Sequence, residues 1–380
     1  MKKTAMATAL AAALACTGTA AAASIEDELA AIKARLMALE KQVQDQNKVI
    51  AEKDAEIQAM KKDTPQILRD DAEAWHNRIS VGGLIEVEAG YVDSDGANAE
   101  SDIVAATVEL GIAAQVNDWV SAELVLLYEE DTDGTGNPFD VDTALVTIAD
   151  PDASWFVNAG HYTLPFGTYE TNMVSDPLTL DLGETGDTAV EAGMGFGPLT
   201  ASLYVFDGDR GPGYPSVDNL GFALNYEGDL EGIGVAGHVG YLGDVGEADG
   251  FGSLTVPADG DIAGWIASAS ITAGNFVFIA EYLATLDDFK VTAPGAEPSA
   301  YNLEVGYNFA LGGKPSVVAF SYQGTDDLDM IDPTLQEERI GAAIWVEIMD
   351  GTAVALEYLV EEAYDGTDTD TLTGKVAVEF

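Results

Sequence analysis

Cysteine is almost absent from this chain, and its single cysteine, Cys16, stands near the start. Residues 1–23 have the form of a secretory signal peptide, with Lys2 and Lys3 followed by an apolar Ala/Leu run. Removal of that signal leaves a mature chain without cysteine. We therefore exclude disulfides, zinc–thiolate sites and thiol nucleophiles from the function of the mature protein.

Basic residues are scarce: 16 Lys and Arg stand against 66 Asp and Glu, giving a formal net charge of -50. From residue 79 onward the basic residues are Arg210, Lys290, Lys314, Arg339 and Lys375. Nucleic acid and anionic lipid headgroups are poor partners for such a surface. Two explanations of the charge remain open: adaptation to a salty habitat, and a field that attracts cations.

Long hydrophobic runs are also missing beyond the signal, since no later stretch approaches the roughly 20 apolar residues of a membrane helix. An exported chain of this kind is either a soluble periplasmic or extracellular protein, or a β-barrel whose strands give no such run.

Residues 24–62 carry apolar side chains at every seventh position, which predicts a periplasmic coiled coil. The repeating positions are Leu29, Leu36, Val43, Ile50 and Ile57. The alternative is a single amphipathic helix lying on a domain, but the narrow apolar stripe favours the coiled coil. Leu at one seam position with Ile at the other favours a trimer, and residues 63–78 form a polar linker.

From residue 79 the apolar period changes to two, which is typical of β-strands. Sixteen segments alternate in this way: 79–91, 103–116, 119–130, 141–149, 154–162, 188–196, 200–208, 219–227, 233–243, 261–271, 276–286, 299–310, 315–324, 336–348, 352–361 and 370–380. Short turns alternate with long acidic loops between them. Residues 79–380 are therefore predicted to form a sixteen-stranded antiparallel transmembrane β-barrel, an all-β fold of the outer membrane.

A soluble β-sandwich is the alternative, because it too has many strands with regular turns. The segments are longer than the roughly five or six residues of a sandwich strand and match tilted membrane strands. Aromatic residues also collect at both ends of the segments, as in the interfacial girdles of a barrel. At the loop ends they include Tyr91, Tyr162, Phe206, Tyr282, Tyr322 and Tyr358, and at the turn ends Trp119, Phe196, Phe276 and Phe380.

The polar face of the strands should line the lumen if the apolar face meets lipid. The lumen-lining residues are then Glu86, Glu88, Glu109, Glu123, Glu281, Glu304, Arg339 and Glu347, together with Glu129, Glu191, Glu357, Lys375 and His238. Carboxylate rings favour cations in a pore, so this lumen predicts a cation-preferring channel. For any single glutamate, the simpler interpretation is a hydrated wall position.

Catalytic patterns are not found. The three histidines, His76, His161 and His238, belong to no triad or metal-binding spacing, so we expect neither an enzyme nor a bound cofactor. Residues 131–137 resemble a calcium loop in composition but lack the closing glutamate. Loose binding of divalent cations by the acidic loops is compatible with the sequence, and the identity of any metal stays open.

The longest break between strands, 163–187, carries a specific resemblance. The motif begins in the preceding strand with Asn-Ala-Gly-His-Tyr-Thr-Leu-Pro-Phe-Gly over 158–167 and continues with Asp-Pro-Leu-Thr-Leu over 176–180 and Gly-Glu-Thr over 183–185. With the order signal, coiled coil, linker and barrel ending in Phe380, the chain resembles the LbtU-type siderophore porins. That resemblance implies an outer-membrane barrel that admits a ferric siderophore or metal chelate without an energy-transducing plug domain.

We expect this third long loop to fold inward and narrow the pore of a homotrimeric porin for small cationic solutes. The constriction residues are then Pro165, Phe166, Gly167, Glu170, Asp176, Asp181 and Glu184, where Pro165 stiffens the loop and Gly167 allows a sharp bend. In the alternative arrangement the loop is an external flap against a neighbouring subunit. The alternative function is structural: the barrel anchors a coiled coil that binds the cell wall or an envelope protein.

Overall fold

The computed structural model describes residues 78–130, 138–208, 217–256 and 259–380. The chain divides into two units, Met1–Ala74 and Trp75–Phe380, and everything below belongs to the second. Apart from Arg78, the signal (1–23), the coiled coil (24–62), the linker (63–78) and the calcium-like loop (131–137) lie outside the described residues. Those four predictions therefore stay predictions.

Sixteen antiparallel strands form one closed barrel, as the sequence predicted, because each strand pairs with the next and the first pairs with the last. They are β1 Ile79–Ser94, β2 Glu100–Gln115, β3 Val120–Tyr128, β4 Phe139–Ala149, β5 Trp155–Thr163, β6 Gly186–Phe196, β7 Leu199–Phe206, β8 Asn219–Leu230, β9 Ile233–Leu242, β10 Gly264–Ala273, β11 Phe276–Thr285, β12 Ser299–Leu311, β13 Lys314–Asp326, β14 Gln336–Met349, β15 Thr352–Ala363 and β16 Asp368–Glu379.

Strand β12 shows why these residues form a barrel wall. Asn302 and Glu304 project inward and are buried, whereas Leu303 and Tyr307 are exposed on the outer surface. Successive side chains of a strand point to opposite faces, so the alternating sequence separates an apolar outside from a polar inside. The outside of the barrel therefore matches lipid.

The barrel closes at the C-terminus through backbone pairing of Phe380 with Gly83. Each residue donates its amide to the other's carbonyl, at 2.9 and 3.0 Å. A Cβ on Gly83 would lie 2.6 Å from the ring of Phe380. Glycine fits here because the terminal aromatic ring packs directly on the backbone of β1, and a Cβ would also lie 2.8 Å from the carbonyl oxygen of Glu109.

The two aromatic girdles are only partly as expected. Outward-facing rings are exposed at both ends: Tyr91, Tyr282, Tyr322 and Tyr358 at the loop end, and Trp119, Phe196, Phe276 and Phe380 at the turn end. Tyr162 and Phe206, however, are buried inside the barrel. Strand alternation points them inward, and the loops packed inside the barrel bury them there.

An apolar core fills part of the barrel interior near the long loops. The β5–β6 loop contains helix α1 Leu178–Gly183, and the β9–β10 loop contains helix α2 Asp249–Leu254. Their buried side chains include Leu164, Phe166, Leu182 and Phe251, which join Phe289 of the β11–β12 loop and pack against Tyr204, Ile266 and Leu283 of the wall. Among the described residues, no helix has the length and apolar character needed to cross a membrane.

Candidate pore constriction

Residues 164–185, named here the inner loop, leave β5 and lie inside the barrel before entering β6. Near its start the ring nitrogen Nε2 of His238 on β9 donates to the carbonyl of Phe166 at 2.7 Å. Farther along, the amide of Ser175 donates to Glu357 on β15. The loop therefore follows the inner face of strands β9–β15, which we name the covered wall.

Glu281 on β11 holds the first part of the inner loop. It accepts from the amides of Thr168 and Tyr169, both at 3.2 Å, and from the hydroxyl of Thr179 at 2.6 Å. Tyr169 has a left-handed backbone with φ of 51°, which costs free energy in any residue with a side chain. The carboxylate stabilises this strained turn by accepting its two successive amides.

Glu304 on β12 and Glu357 on β15 hold the second part of the loop. Glu304 accepts from the backbone amide and the side-chain amide of Asn172 at 2.8 and 2.5 Å. Glu357 accepts from the amide of Val174 at 2.6 Å and from the hydroxyl of Ser175 at 2.5 Å. Each carboxylate satisfies backbone groups that would otherwise be buried without partners. Together with Glu281 they form what we call the glutamate clamp.

The glutamate clamp corrects the predicted role of three lumen residues. Glu281, Glu304 and Glu357 face inward, but they are only 3%, 5% and 1% exposed. The inner loop covers them, and its amides and hydroxyls donate hydrogen bonds to their carboxylate oxygens. Their carboxylates therefore do not line the aqueous lumen as the sequence suggested.

Arg339 on β14 lies at the far end of the covered wall and is 9% exposed. Its Nη1 donates to the carbonyl of Asp176 at 2.9 Å and contacts Asp181 at 3.4 Å. Its Nε donates to Glu361 at 2.7 Å. Arg339 therefore holds the inner loop against the covered wall, and the carboxylates of Asp181 and Glu361 largely balance its positive charge.

Two glycines allow the inner loop to approach its neighbours closely. A Cβ on Gly240 of β9 would lie 1.8 Å from the carbonyl oxygen of Phe166, and one on Gly250 of α2 would lie 1.9 Å from that of Asp181. The amide of Asp249 also donates to the carbonyl of Glu184 at 2.8 Å. A side chain at either glycine would push the loop into the lumen.

The predicted constriction residues take different positions on the inner loop. Glu170, Asp176 and Asp181 are exposed to the lumen, and Pro165, Gly167 and Glu184 are half-buried. The prediction that Phe166 lines the pore is wrong, since its side chain is 0% exposed within the apolar core. The left-handed bend falls at Tyr169 and not at Gly167. Gly167 instead leaves room for the Tyr169 ring, because a Cβ on Gly167 would lie 2.4 Å from that ring.

Across the lumen, strands β1–β4 and β16 form what we name the open wall. Glu86, Glu88 and Glu109 are half-buried and Glu123 is exposed. Lys375 lies among them, with Nζ 2.8 Å from Glu86 and 2.9 Å from Glu88. Glu347 on β14 is also exposed, near the short-turn end of the barrel. The inner loop covers none of the carboxylates named for the open wall.

Asp176 and Asp181 keep contact with the lumen, but the protein that surrounds the loop carboxyl groups inside the barrel partly removes them from water and shifts them toward the protonated form. Burial raises the pKa of Asp181 to about 6 although Arg339 opposes the shift. Burial, followed by the charge of Asp249, raises the pKa of Glu184 to about 7. Burial also raises the pKa of Asp176, against the lowering effects of Lys375 and Arg339. The charge of the inner loop should therefore change within the physiological pH range.

One residue that joins the other long loops was not recognised in the sequence. Asp259 is fully buried and accepts the amides of Lys290, Val291 and Thr292 at 3.0, 2.6 and 3.0 Å, which ties two long loops together. The sequence did contain one sign that these loops pack together, which is the aromatic residue Phe251 in an otherwise acidic loop. Among the described residues, no group of three His, Cys, Asp or Glu side chains is placed to hold a metal ion.

The chain is similar in sequence to proteins whose names are a family label. No protein-family model matches it. It is 26% identical over 325 residues to a "UPF0422 protein" of Coxiella burnetii, covering 80% of this chain and 69% of that protein. It is 26% identical over 317 residues to a UPF0422 protein of Legionella pneumophila, covering 74% of this chain but only 58% of that protein's length. Neither name states a siderophore, so the narrower resemblance stays a prediction.

Solved structures of similar fold are outer-membrane channels and porins. The outer-membrane channel DcaP of Acinetobacter baumannii has a TM-score of 0.57 at 16% identity, covering 80% of this chain and 97% of that one. OprB of Pseudomonas putida has a TM-score of 0.60 at 9% identity, covering 81% and 96%. An anion-selective porin of Comamonas acidovorans has a TM-score of 0.57 at 12% identity, covering 80% and 99%. At these identities the likeness shows the fold alone, which is the sixteen-stranded barrel of the outer-membrane porins.

Proposed function

We propose that this chain is an outer-membrane porin that lets small solutes diffuse passively and prefers cations. One observation carries the proposal: the closed barrel contains an inner loop that covers one wall and leaves carboxylates on its free edge and on the opposite wall. The anion-selective neighbour of the same fold means that charge preference has to be argued from the side chains of this chain.

The physical basis is the balance of charge in the remaining lumen. A barrel of sixteen strands is wide enough for an aqueous channel. Asp176 and Asp181 are exposed on the inner loop, and on the open wall Glu123 is exposed and Glu109 half-buried, whereas Lys375 is already paired with Glu86 and Glu88 there. A charged constriction with low-dielectric walls concentrates ions of opposite sign, so cations should enter more readily than anions.

The solutes in this proposal are small cations first. The resemblance to siderophore porins adds a ferric siderophore or metal chelate as a second solute class. The chelate would have to be neutral or cationic, because the acidic lumen would repel an anionic chelate. Growth of a deletion strain on iron-limited medium supplied with neutral, cationic or anionic ferric siderophores tests this part.

The proposal includes the outer membrane as location and a homotrimer as assembly. It is supported by the exposed apolar outside of the barrel and by the porin fold. The predicted coiled coil, 24–62, would lie in the periplasm, where it contributes to the trimer and contacts the cell wall. Cross-linking the separately expressed 24–78 segment tests its part in the trimer, since a monomer would remove that contribution.

Planar lipid bilayers test the function directly. The purified protein should insert as open channels, and in a KCl gradient the reversal potential should have the sign of K⁺ permeation. Absence of conductance would overturn the porin proposal and leave the barrel as an envelope anchor. Conductance with anion preference would keep the porin and remove the argument from lumen carboxylates.

A further inference from the structure

The lumen contains a recess on the short-turn side of the inner loop, against strands β8–β11. It has a volume of about 370 Å³ and is lined by Thr168 and Glu170 of the loop and by Asn225, Glu227, Ser268 and Ser270 of the wall. A second recess of about 590 Å³ continues toward the turns and shares Glu227 and Ser270 with the first. Both volumes lie within the roughly 300–1,000 Å³ of small-molecule sites.

The lining of the first recess combines two kinds of polar group. Glu170 and Glu227 supply carboxylates, Ser268 and Ser270 supply hydroxyls, and Asn225, whose Oδ1 lies 2.7 Å from Nδ1 of His238, supplies the other end of its amide. Among the described lining residues of either recess there is no Lys, Arg or His. The recess therefore offers negative charge that is not neutralised by the residues lining it, beside hydrogen-bonding groups suited to hydroxyl substituents.

The recess also has a fixed shape. The hydroxyls of Thr168 and Ser268 lie 2.7 Å apart and bond the inner loop to β10. The amide of Thr168 is held by Glu281 of the glutamate clamp. Glu170 follows two residues after this anchor and is exposed at the edge of the loop. Its carboxylate is thus presented to the recess by a held backbone, which lowers the entropy cost of binding.

We propose that this recess is a solute-binding site for small organic cations that also carry hydroxyl groups, such as amino sugars. The ammonium group pairs with Glu170 and Glu227, and the hydroxyl groups bond to Ser268, Ser270 and Asn225. The inference rests on the proposed porin function and deepens it. A solute that has passed the constriction is held here before it leaves through the short-turn end.

Current block in planar bilayers tests the site with glucosamine as the probe and N-acetylglucosamine as its neutral relative. Glucosamine added to the short-turn side should interrupt the K⁺ current, and N-acetylglucosamine should do so at least tenfold less often at equal concentration. The combined Glu170→Gln and Glu227→Gln variant should shorten the glucosamine block by about tenfold, the usual effect of losing a charge-assisted bond. Asp118→Asn, an exposed turn residue outside the recess, is the matched control and should leave the block unchanged.

The outcomes separate this inference from the porin proposal. A channel that conducts K⁺ but shows no difference between glucosamine and N-acetylglucosamine contradicts the site while keeping the porin. The same holds if block by glucosamine is equal in the parent and in the double variant. A protein that forms no channel removes the porin proposal itself. Circular dichroism of the double variant shows whether it has folded as a barrel.

Discussion

The covered wall and the open wall of this barrel use the same residue type for opposite purposes. Glu281 and Glu304 on the covered wall are buried and accept hydrogen bonds from the inner loop. Glu109 and Glu123 on the open wall keep contact with the lumen. An inward-facing glutamate in a barrel is therefore either an anchor or a pore charge, and the difference is whether a loop lies over it.

The largest effect should come from removing the anchors. Combined replacement of Glu281, Glu304 and Glu357 by Ala leaves the loop amides without acceptors, and the loss of hydrogen bonds to a charged group costs about 1.5–3 kcal/mol for each glutamate. We expect the inner loop to detach and single-channel conductance to rise by roughly twofold or more, since conductance follows the narrowest cross-section of a pore.

The matched control for that experiment lies on the open wall. The double variant Glu109→Ala and Glu123→Ala removes two inward carboxylates that bond to no part of the inner loop. Its conductance should stay near that of the parent, and its thermal unfolding temperature should change little. Unchanged conductance in the covered-wall variant would contradict the anchoring role.

Ion selectivity should depend on the open wall more than on the covered wall, which is the reverse of conductance. The change of Glu109 and Glu123 to Gln removes charge from the lumen, so the K⁺ to Cl⁻ permeability ratio should fall by about twofold or more. Glu281→Gln alone should change that ratio less, because its carboxylate is covered and hydrogen-bonded. Reversal potentials in a KCl gradient measure both variants, and an equal loss in the two would erase the distinction between the walls.

A smaller effect is expected from the lysine of the open wall. Lys375 pairs with Glu86 and Glu88, so Lys375→Gln should release two carboxylates to the lumen and raise cation preference. The matched control is Lys314→Gln, at the exposed turn end of β13. A fall in cation preference with Lys375→Gln would contradict this expectation, because two released carboxylates should attract cations.

The smallest effect should be the pH dependence of the inner loop. The pKa values of Asp181 and Glu184, about 6 and about 7, predict that both groups lose their charge as pH falls from 8 to 5. Cation preference should then decrease modestly, and the variant Asp181→Asn with Glu184→Gln should flatten the response. Reversal potentials between pH 8 and pH 5 measure it, and an unchanged response in the variant would assign it to other groups.

The same two groups predict the sign of a stability change. Their pKa values are raised in the folded state, so the folded protein binds these protons more tightly than the unfolded chain does. Their contribution to the free energy of unfolding should therefore rise as pH falls through 7 toward the ordinary carboxyl range. Thermal unfolding of the parent against the double variant isolates that contribution.

The strand alternation predicted which way most side chains face, because that follows from local geometry alone. It placed Glu86, Glu281 and Arg339 on the inner face, where the structure has them. It did not predict which inward residues meet water, because that depends on the path of a loop more than a hundred residues away in sequence. Phe206 shows the same limit: residues 203–206 at the end of its strand are hydrophobic or aromatic on both faces, so the pattern there does not distinguish lipid from a packed loop.

The position of the inner loop is the central claim, and one engineered cross-link tests it most directly. The hydroxyls of Thr168 and Ser268 lie 2.7 Å apart, and the mature chain should hold no other cysteine to interfere. The double variant Thr168→Cys and Ser268→Cys should form a disulfide on export, and its conductance should be the same before and after reduction, because the loop already lies there. The pair Thr168→Cys and Glu123→Cys, which joins the loop to the open wall, should not cross-link. Failure of the first pair to form a disulfide, or a change of conductance on reducing it, would contradict an inner loop held on the covered wall.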